Sequence, residues 1–241
     1  MFKTACTEYG LQLASPFEGL RNMKAELETQ TNWRSLTPDE FARVTDALWS
    51  RPNNAVTLHG LLALENGCRI SDANGLEVLD VRLSGDTPHI AFKPNRTRRL
   101  DKGSVKRSVP LSPALVDRLR AYSETHNRDK APNEPFFERK YVGQNGRSNI
   151  STQLVRLIRT TTNNEGNREV VEHSLRHTFK DRGRAARVDI GVIDYLQGHK
   201  SPLSSSISDR YGSGVPPEHH LKDWERIMAT TNWGVFNKSV L

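Results

Sequence analysis

The stretch that most limits how this chain can fold is Thr37-Pro38-Asp39-Glu40. Thr at the N-cap, Pro in the first turn and Glu three places after the cap make a capping box, which satisfies backbone N–H groups that a helix start leaves orphaned. Leu36 and Phe41 sit where a hydrophobic staple fixes the entry, and Phe41, Val44 and Leu48 recur on one face. The same kind of punctuation returns along the chain. A helix through Val56, Leu61, Leu62 and Leu64 stops at Gly67, and Ser112-Pro113 opens one through Leu115, Val116, Leu119 and Tyr122. Ser151 starts another through Leu154, Val155 and Ile158. Asp189 caps a short one through Ile190, Ile193 and Leu196 that closes at Gly198. Leu221, Trp224, Ile227 and Met228 form an apolar stripe on a terminal helix. Val78–Val81, His89–Phe92 and Arg107–Val109 read as three short strands, while His126–Asn149 and Asn163–Arg168 read as polar loops. No internal repeat is present. The expected fold is α+β: mostly helical, with one small antiparallel three-stranded sheet.

Charge narrows the partner. The 241 residues carry 35 Lys and Arg against 28 Asp and Glu, a net charge of +7. The excess is uneven, because residues 1–80 hold seven basic against eleven acidic side chains, which leaves 28 against 17 for the rest. From Lys93 to Arg107 there are seven Lys and Arg and one Asp. Such a loop suits a phosphate backbone, and Lys93, Arg96, Arg98, Arg99, Lys106 and Arg107 are the candidate DNA contacts. No apolar run approaches the roughly 18 residues of a membrane span. No signal peptide opens the chain. Cys6 and Cys68 are too few for a disulfide framework, so a cytoplasmic setting is expected, and they supply too little for a zinc site.

The chemistry-bearing residues come in a fixed order. Arg69 lies in Gly67-Cys68-Arg69-Ile70-Ser71-Asp72, between a helix stop and the next turn. Lys102 lies in the basic loop. His173 and Arg176 share one helical face in Glu172-His173-Ser174-Leu175-Arg176-His177. Gly198-His199 follows a helix end, and Arg210-Tyr211-Gly212 follows a Ser-rich run. This Arg … Lys … His-x-x-Arg … Gly-His … Tyr series resembles the tyrosine recombinases, phage-type integrases in particular, from about Leu36 to Met228. The separation of His199 from Tyr211 is slightly longer than the family pattern, and Lys102 does not directly follow the Leu as that pattern has it.

The resemblance implies a site-specific DNA recombinase, or integrase, that cuts and rejoins strands through a 3′-phosphotyrosyl link. It implies catalytic roles for Arg69, Lys102, His173, Arg176, His199 and Tyr211. Arg69 and Arg176 clamp the phosphate, Tyr211 attacks, His173 handles a proton, and His199 donates to the phosphoryl oxygen. Lys102, with Lys93 as rival, protonates the leaving 5′ oxygen, and Asp72 holds Arg69 from behind. Residues 1–34 are then a linker or remnant of an upstream core-binding domain, and residues 35–241 the catalytic domain with its C-terminal helix. The expected partners are double-stranded DNA at attachment sites and further copies of the chain, assembling on DNA as a tetramer, with no membrane. No cofactor and no metal is expected, since no phosphate-binding Gly-rich loop and no acidic two-metal cluster occur. The setting is the cytoplasm of a bacterial or phage-infected cell. A non-cutting DNA-binding relic and a type IB topoisomerase-like enzyme stay open beside this reading. The terminal stripe suits either a neighbour's groove or the chain's own core.

Overall fold

The capping box at Thr37 forms in both directions: the Thr37 hydroxyl accepts from Glu40 N at 3.2 Å, and Glu40 Oε2 accepts from Thr37 N at 2.9 Å. It opens helix α1, Pro38–Ser50. The computed structural model describes residues 33–95, 105–138, 149–166, 168–199 and 215–233. Val44 and Leu48 of α1 are buried, and Phe41 meets Trp233 edge-on at 5.2 Å. Helix α2, Ala55–Asn66, is buried on every side and is the central post, as an all-round apolar helix must be. It ends at Gly67 in the left-handed conformation (φ 57°). A Cβ there would lie 2.8 Å from the Phe179 ring and from Gln197 Nε2, so glycine alone fits this end. Helix α3, Ile70–Asn74, follows, with Arg69 at its N-cap.

The sheet is antiparallel in the order β1 (Val81–Arg82), β2 (His89–Phe92), β3 (Arg107–Pro110). Ile90 pairs with Val109 and Phe92 with Arg107. The first expected strand is only partly one. Val78–Asp80 is a 3₁₀ turn, because the Asp80 carboxylate accepts from Glu77 N at 3.1 Å and gives the backbone a local alternative to a ladder.

Helix α4, Pro113–His126, buries Leu115, Val116, Leu119 and Tyr122, the four side chains its spacing selects. The expected polar loop after it departs from expectation in its described part. Phe136 and Phe137 are buried against each other at 5.0 Å, and Phe136 N donates to Leu76 O at 2.8 Å, so this loop plugs the core. Helices α5 (Asn149–Thr162), α6 (Glu172–Ala185) and α7 (Ile190–Gln197) complete the middle of the chain. A 3₁₀ turn, Pro217–His220, leads into α8, Leu221–Ala229. Its stripe is used at home. Trp224 and Ile227 are buried, and Trp224 Nε1 donates to Glu65 O at 3.1 Å. Trp233 Nε1 reaches Leu36 O at 3.1 Å.

Arginines close the C-terminal ends of several helices, where bare carbonyls and the negative end of the dipole favour a cation. Arg118 donates to Trp49 O and Arg51 O at the end of α1, and Arg226 to Ala186 O at the end of α6. Arg182 donates to Met228 O and Thr230 O at the end of α8. At α7 the closing residues are Arg107 and Arg176. No helix among the described residues is long and apolar enough to cross a membrane.

Candidate active site

Helix α6 starts where Val171 N donates to Ser174 Oγ at 3.1 Å, and its first turn carries His173. One turn on, Arg176 points inward and is almost wholly buried. Its Nη1 donates to Gly67 O at 2.5 Å and Gln197 O at 2.7 Å, tying the end of α2 to the end of α7. Gln197 Nε2 returns a bond to Arg176 O at 2.7 Å. Arg176 Nη2 is buried and has no partner among the described residues. Burial, then the charges of Arg69 and Arg107, pull the Arg176 pKa down to about 10. A guanidinium so disfavoured is matched to an anion.

Arg69, at the N-cap of α3, acts electrostatically on His173, Arg176 and His199 alike, so the four residues share one neighbourhood. His173 is half-buried, with Trp33 at 5.2 Å and His177 at 6.3 Å between ring centroids. Burial lowers its pKa, and the charges of Arg176 and Arg69 act in the same sense against Glu172. His199 leaves the chain directly after Gly198, which is left-handed at φ 77°. Its ring Nδ1 lies 3.6 Å from Asp194 Oδ1, an oxygen that also accepts from Lys180 Nζ at 2.8 Å. Burial, followed by Arg176, Lys180 and Arg69, brings the His199 pKa down to about 4. At neutral pH both imidazoles are therefore uncharged, able to take a proton or to donate one hydrogen bond.

Other expected site residues are placed differently. Arg107 was expected on the DNA-facing loop; its side chain is instead completely buried in an ion pair with Asp72, Nη2 to Oδ2 at 3.0 Å. The Asp72 carboxylate, expected to brace Arg69, accepts this bond from Arg107. Strand alternation carried the signal: Arg107 and Val109 are two apart, so a buried Val109 implies a buried Arg107. Lys93 Nζ stands 3.6 Å from the buried Asp80 carboxylate, and Lys106 is exposed. Tyr195 is 4% exposed; its hydroxyl donates to Val215 O at 3.2 Å, and burial pushes its phenol pKa up. Tyr211, Lys102, Arg96, Arg98 and Arg99 lie outside the described residues.

A mostly helical domain with a three-stranded antiparallel sheet is the catalytic fold of tyrosine recombinases. The XerH site-specific recombinase, in a pre-cleavage complex with its difH substrate, superposes with a TM-score of 0.52 at 18% identity, covering 72% of this chain and 49% of that one. The integrase from mycobacterium phage Brujita also gives 0.52, at 20% identity over 80% of this chain and 57% of its own. The Phage integrase family matches residues 34–211, and the chain belongs to that family. Among curated relatives, tyrosine recombinase XerD of Bifidobacterium longum is 30% identical over 71% of this chain and 56% of its own length. Tyrosine recombinase XerA of Pyrococcus horikoshii is 25% identical, over 79% and 63%. Tyrosine recombinase XerC of Neisseria meningitidis is 29% identical, over 64% and 47%. The chain thus spans about half to three-fifths of the length of these relatives.

Proposed function

We propose that this chain is a site-specific DNA recombinase that cleaves and rejoins strands through Tyr211. The observation that carries the reading is the convergence of Arg69 and the buried Arg176 beside two uncharged imidazoles. A phosphodiester passing into attack gathers negative charge on its non-bridging oxygens, and two guanidiniums held in place neutralise it. His199 donates a hydrogen bond to the same phosphoryl group. The Tyr211 oxygen bonds to phosphorus as the bond to the 5′ oxygen breaks; His173 receives the phenol proton, and Lys102 gives one to the departing oxygen. One phosphodiester is exchanged for another, so rejoining calls on no external energy.

The domain that does this is residues 35–241. Its entry is tied to α6 by Leu36 N donating to Thr178 Oγ1 at 2.8 Å and Ser35 Oγ to Asp181 at 2.5 Å. Double-stranded DNA is the substrate, met through the basic stretch from Lys93 to Lys106, and copies of the chain assemble on it as a tetramer. With the α8 stripe buried in its own core, the contact between copies falls to other surfaces.

The test uses a pool of nicked duplexes with randomised cores, from which a cut strand diffuses away. The expected result is an adduct that survives SDS with the intact chain and vanishes with Tyr211→Phe, while both retain DNA binding. An intact chain that binds DNA without forming an adduct overturns the reading.

A further inference from the structure

Arg107 is the most deeply buried charge near the site, and the scheme above gives it nothing to do. Taking a guanidinium out of water is costly unless each of its faces and edges is met. Parts of three elements meet most of them, while Nη1 is buried without a hydrogen-bond partner among the described residues. Nη2 donates to Asp72 Oδ2 at 3.0 Å, Nε donates to Leu196 O at 3.0 Å, and the guanidinium lies over the Phe92 ring at 4.2 Å. Leu196 is in the last turn of α7, and His199 follows three residues later.

The remaining edge faces Gly198. A Cβ at Gly198 would lie 2.1 Å from Arg107 Nη1 and 2.5 Å from Cζ. The guanidinium therefore occupies the volume a side chain would need. The left-handed turn that aims His199 is packed directly on it. Anchored by Asp72 and Phe92, Arg107 fixes the floor on which the Gly198-His199 turn rests.

We propose that Arg107 is a positioning residue for His199: it touches no DNA and acts by holding the end of α7 so that the imidazole meets the phosphoryl oxygen. The proposal rests on the reading that His199 acts on a scissile phosphate. Arg107→Lys keeps the charge but loses the fork, so one head group can no longer serve Asp72 and Leu196 O together. Gly198→Ala disturbs the same contact from the other side and leaves the arginine in place.

The test is a double-mutant cycle on the full chain, with adduct formation on the nicked duplex pool as readout, run well below each variant's Tm. Arg107→Lys is expected to slow adduct formation about 100-fold, the order of loss from a displacement of about 1 Å. On a His199→Gln background the same change should cost less than about twofold, the error of such cycles. Gly198→Ala should repeat both results, and it decides alone if Arg107→Lys does not fold. Equal slowing on both backgrounds makes Arg107 a general brace and sinks the proposal, as does near-normal adduct formation by either folded variant. No adduct from the unaltered chain removes the functional reading and this inference with it, whereas an adduct with a failed cycle removes the inference alone.

Discussion

Two regions of this chain hold arginine among polar partners, and they are balanced in opposite senses. At the start of α1, Arg34 forks onto Glu40 at 2.6 and 2.7 Å, and Asn164 Nδ2 adds a third bond at 2.9 Å. Burial by itself would raise the Glu40 pKa; the bonds from Arg34, Thr37 and Asn164 outweigh it and hold the carboxyl at about 2. Charges there are matched within the chain. At the candidate active site, Arg69 and Arg176 lie around the Arg107–Asp72 ion pair, and the pKa values of Arg176, His173 and His199 all fall. Matched charge serves stability, while a cluster whose groups are pushed toward their neutral forms suits an anion from outside.

The comparison breaks first at Arg176. Arg176→Lys should slow adduct formation by about 10²–10³-fold, the scale of losing one oriented transition-state donor, with DNA binding little changed. It also loosens the bonds to Gly67 O and Gln197 O, so calorimetry should show a lower Tm. Normal adduct formation would put Arg176 in the same class as Arg34.

Next comes Glu40→Gln, which takes from Arg34 the carboxylate it forks onto and leaves it only the longer ion pair with Glu169 at 3.9 Å among the described residues. A loss of about 1–3 kcal/mol in denaturant unfolding is expected, with adduct formation measured on the folded protein unchanged. A change in adduct rate would mean the two regions are not separate. Thr37→Ala, which removes only one half of the capping box, should cost about 1 kcal/mol.

The two regions should also separate in pH dependence, by window. His199 has its folded pKa depressed from 6.5 to about 4, so its contribution to stability is full above about pH 6.5 and is lost as pH falls through 4. Glu40 is depressed from 4.5 to about 2, so its contribution is full above about pH 4.5 and is lost as pH falls through 2. Subtracting the stability profile of His199→Gln from that of the unaltered chain should leave a slope only in the upper window, and Glu40→Gln only in the lower. A single shared window would contradict the assignment of opposite balances.

Local signals carried most of the fold into the sequence, and the departures have physical reasons. Thr37, Ser112, Asp189, Gly67 and Gly198 each act through their own backbone neighbours, so caps and stops stand where the residues put them. Phe136 and Phe137 sit in a run rich in Asn, Pro and charge, and what buries them is contact with Tyr122 and His59 from distant helices. Asp80 turned an expected strand into a 3₁₀ turn through one side-chain bond. For the site, residue types and order pointed to Arg69, His173, Arg176 and His199, whereas the pairing of Asp72 with Arg107 depends on strand register and helix placement together. The α8 stripe was equally suited to a neighbour or to its own core, and Trp224 meeting Glu65 O decided for the core.

The bond from Trp233 Nε1 to Leu36 O joins residues 197 positions apart. On the ribosome, at about 5–20 residues per second, some 10–40 s separate the synthesis of these two partners. During that interval α1 has its cap and its local helix, yet the Phe41 ring lacks the Trp233 edge that covers it, and Arg182 lacks the Met228 and Thr230 carbonyls it will bind. Closing so long a loop is entropically slow as well as late. Helix α8 and Trp233 thus complete the side of the domain that α1 begins, and a nascent chain stalled before Trp233 would present that unfinished apolar side to whatever chaperones attend it.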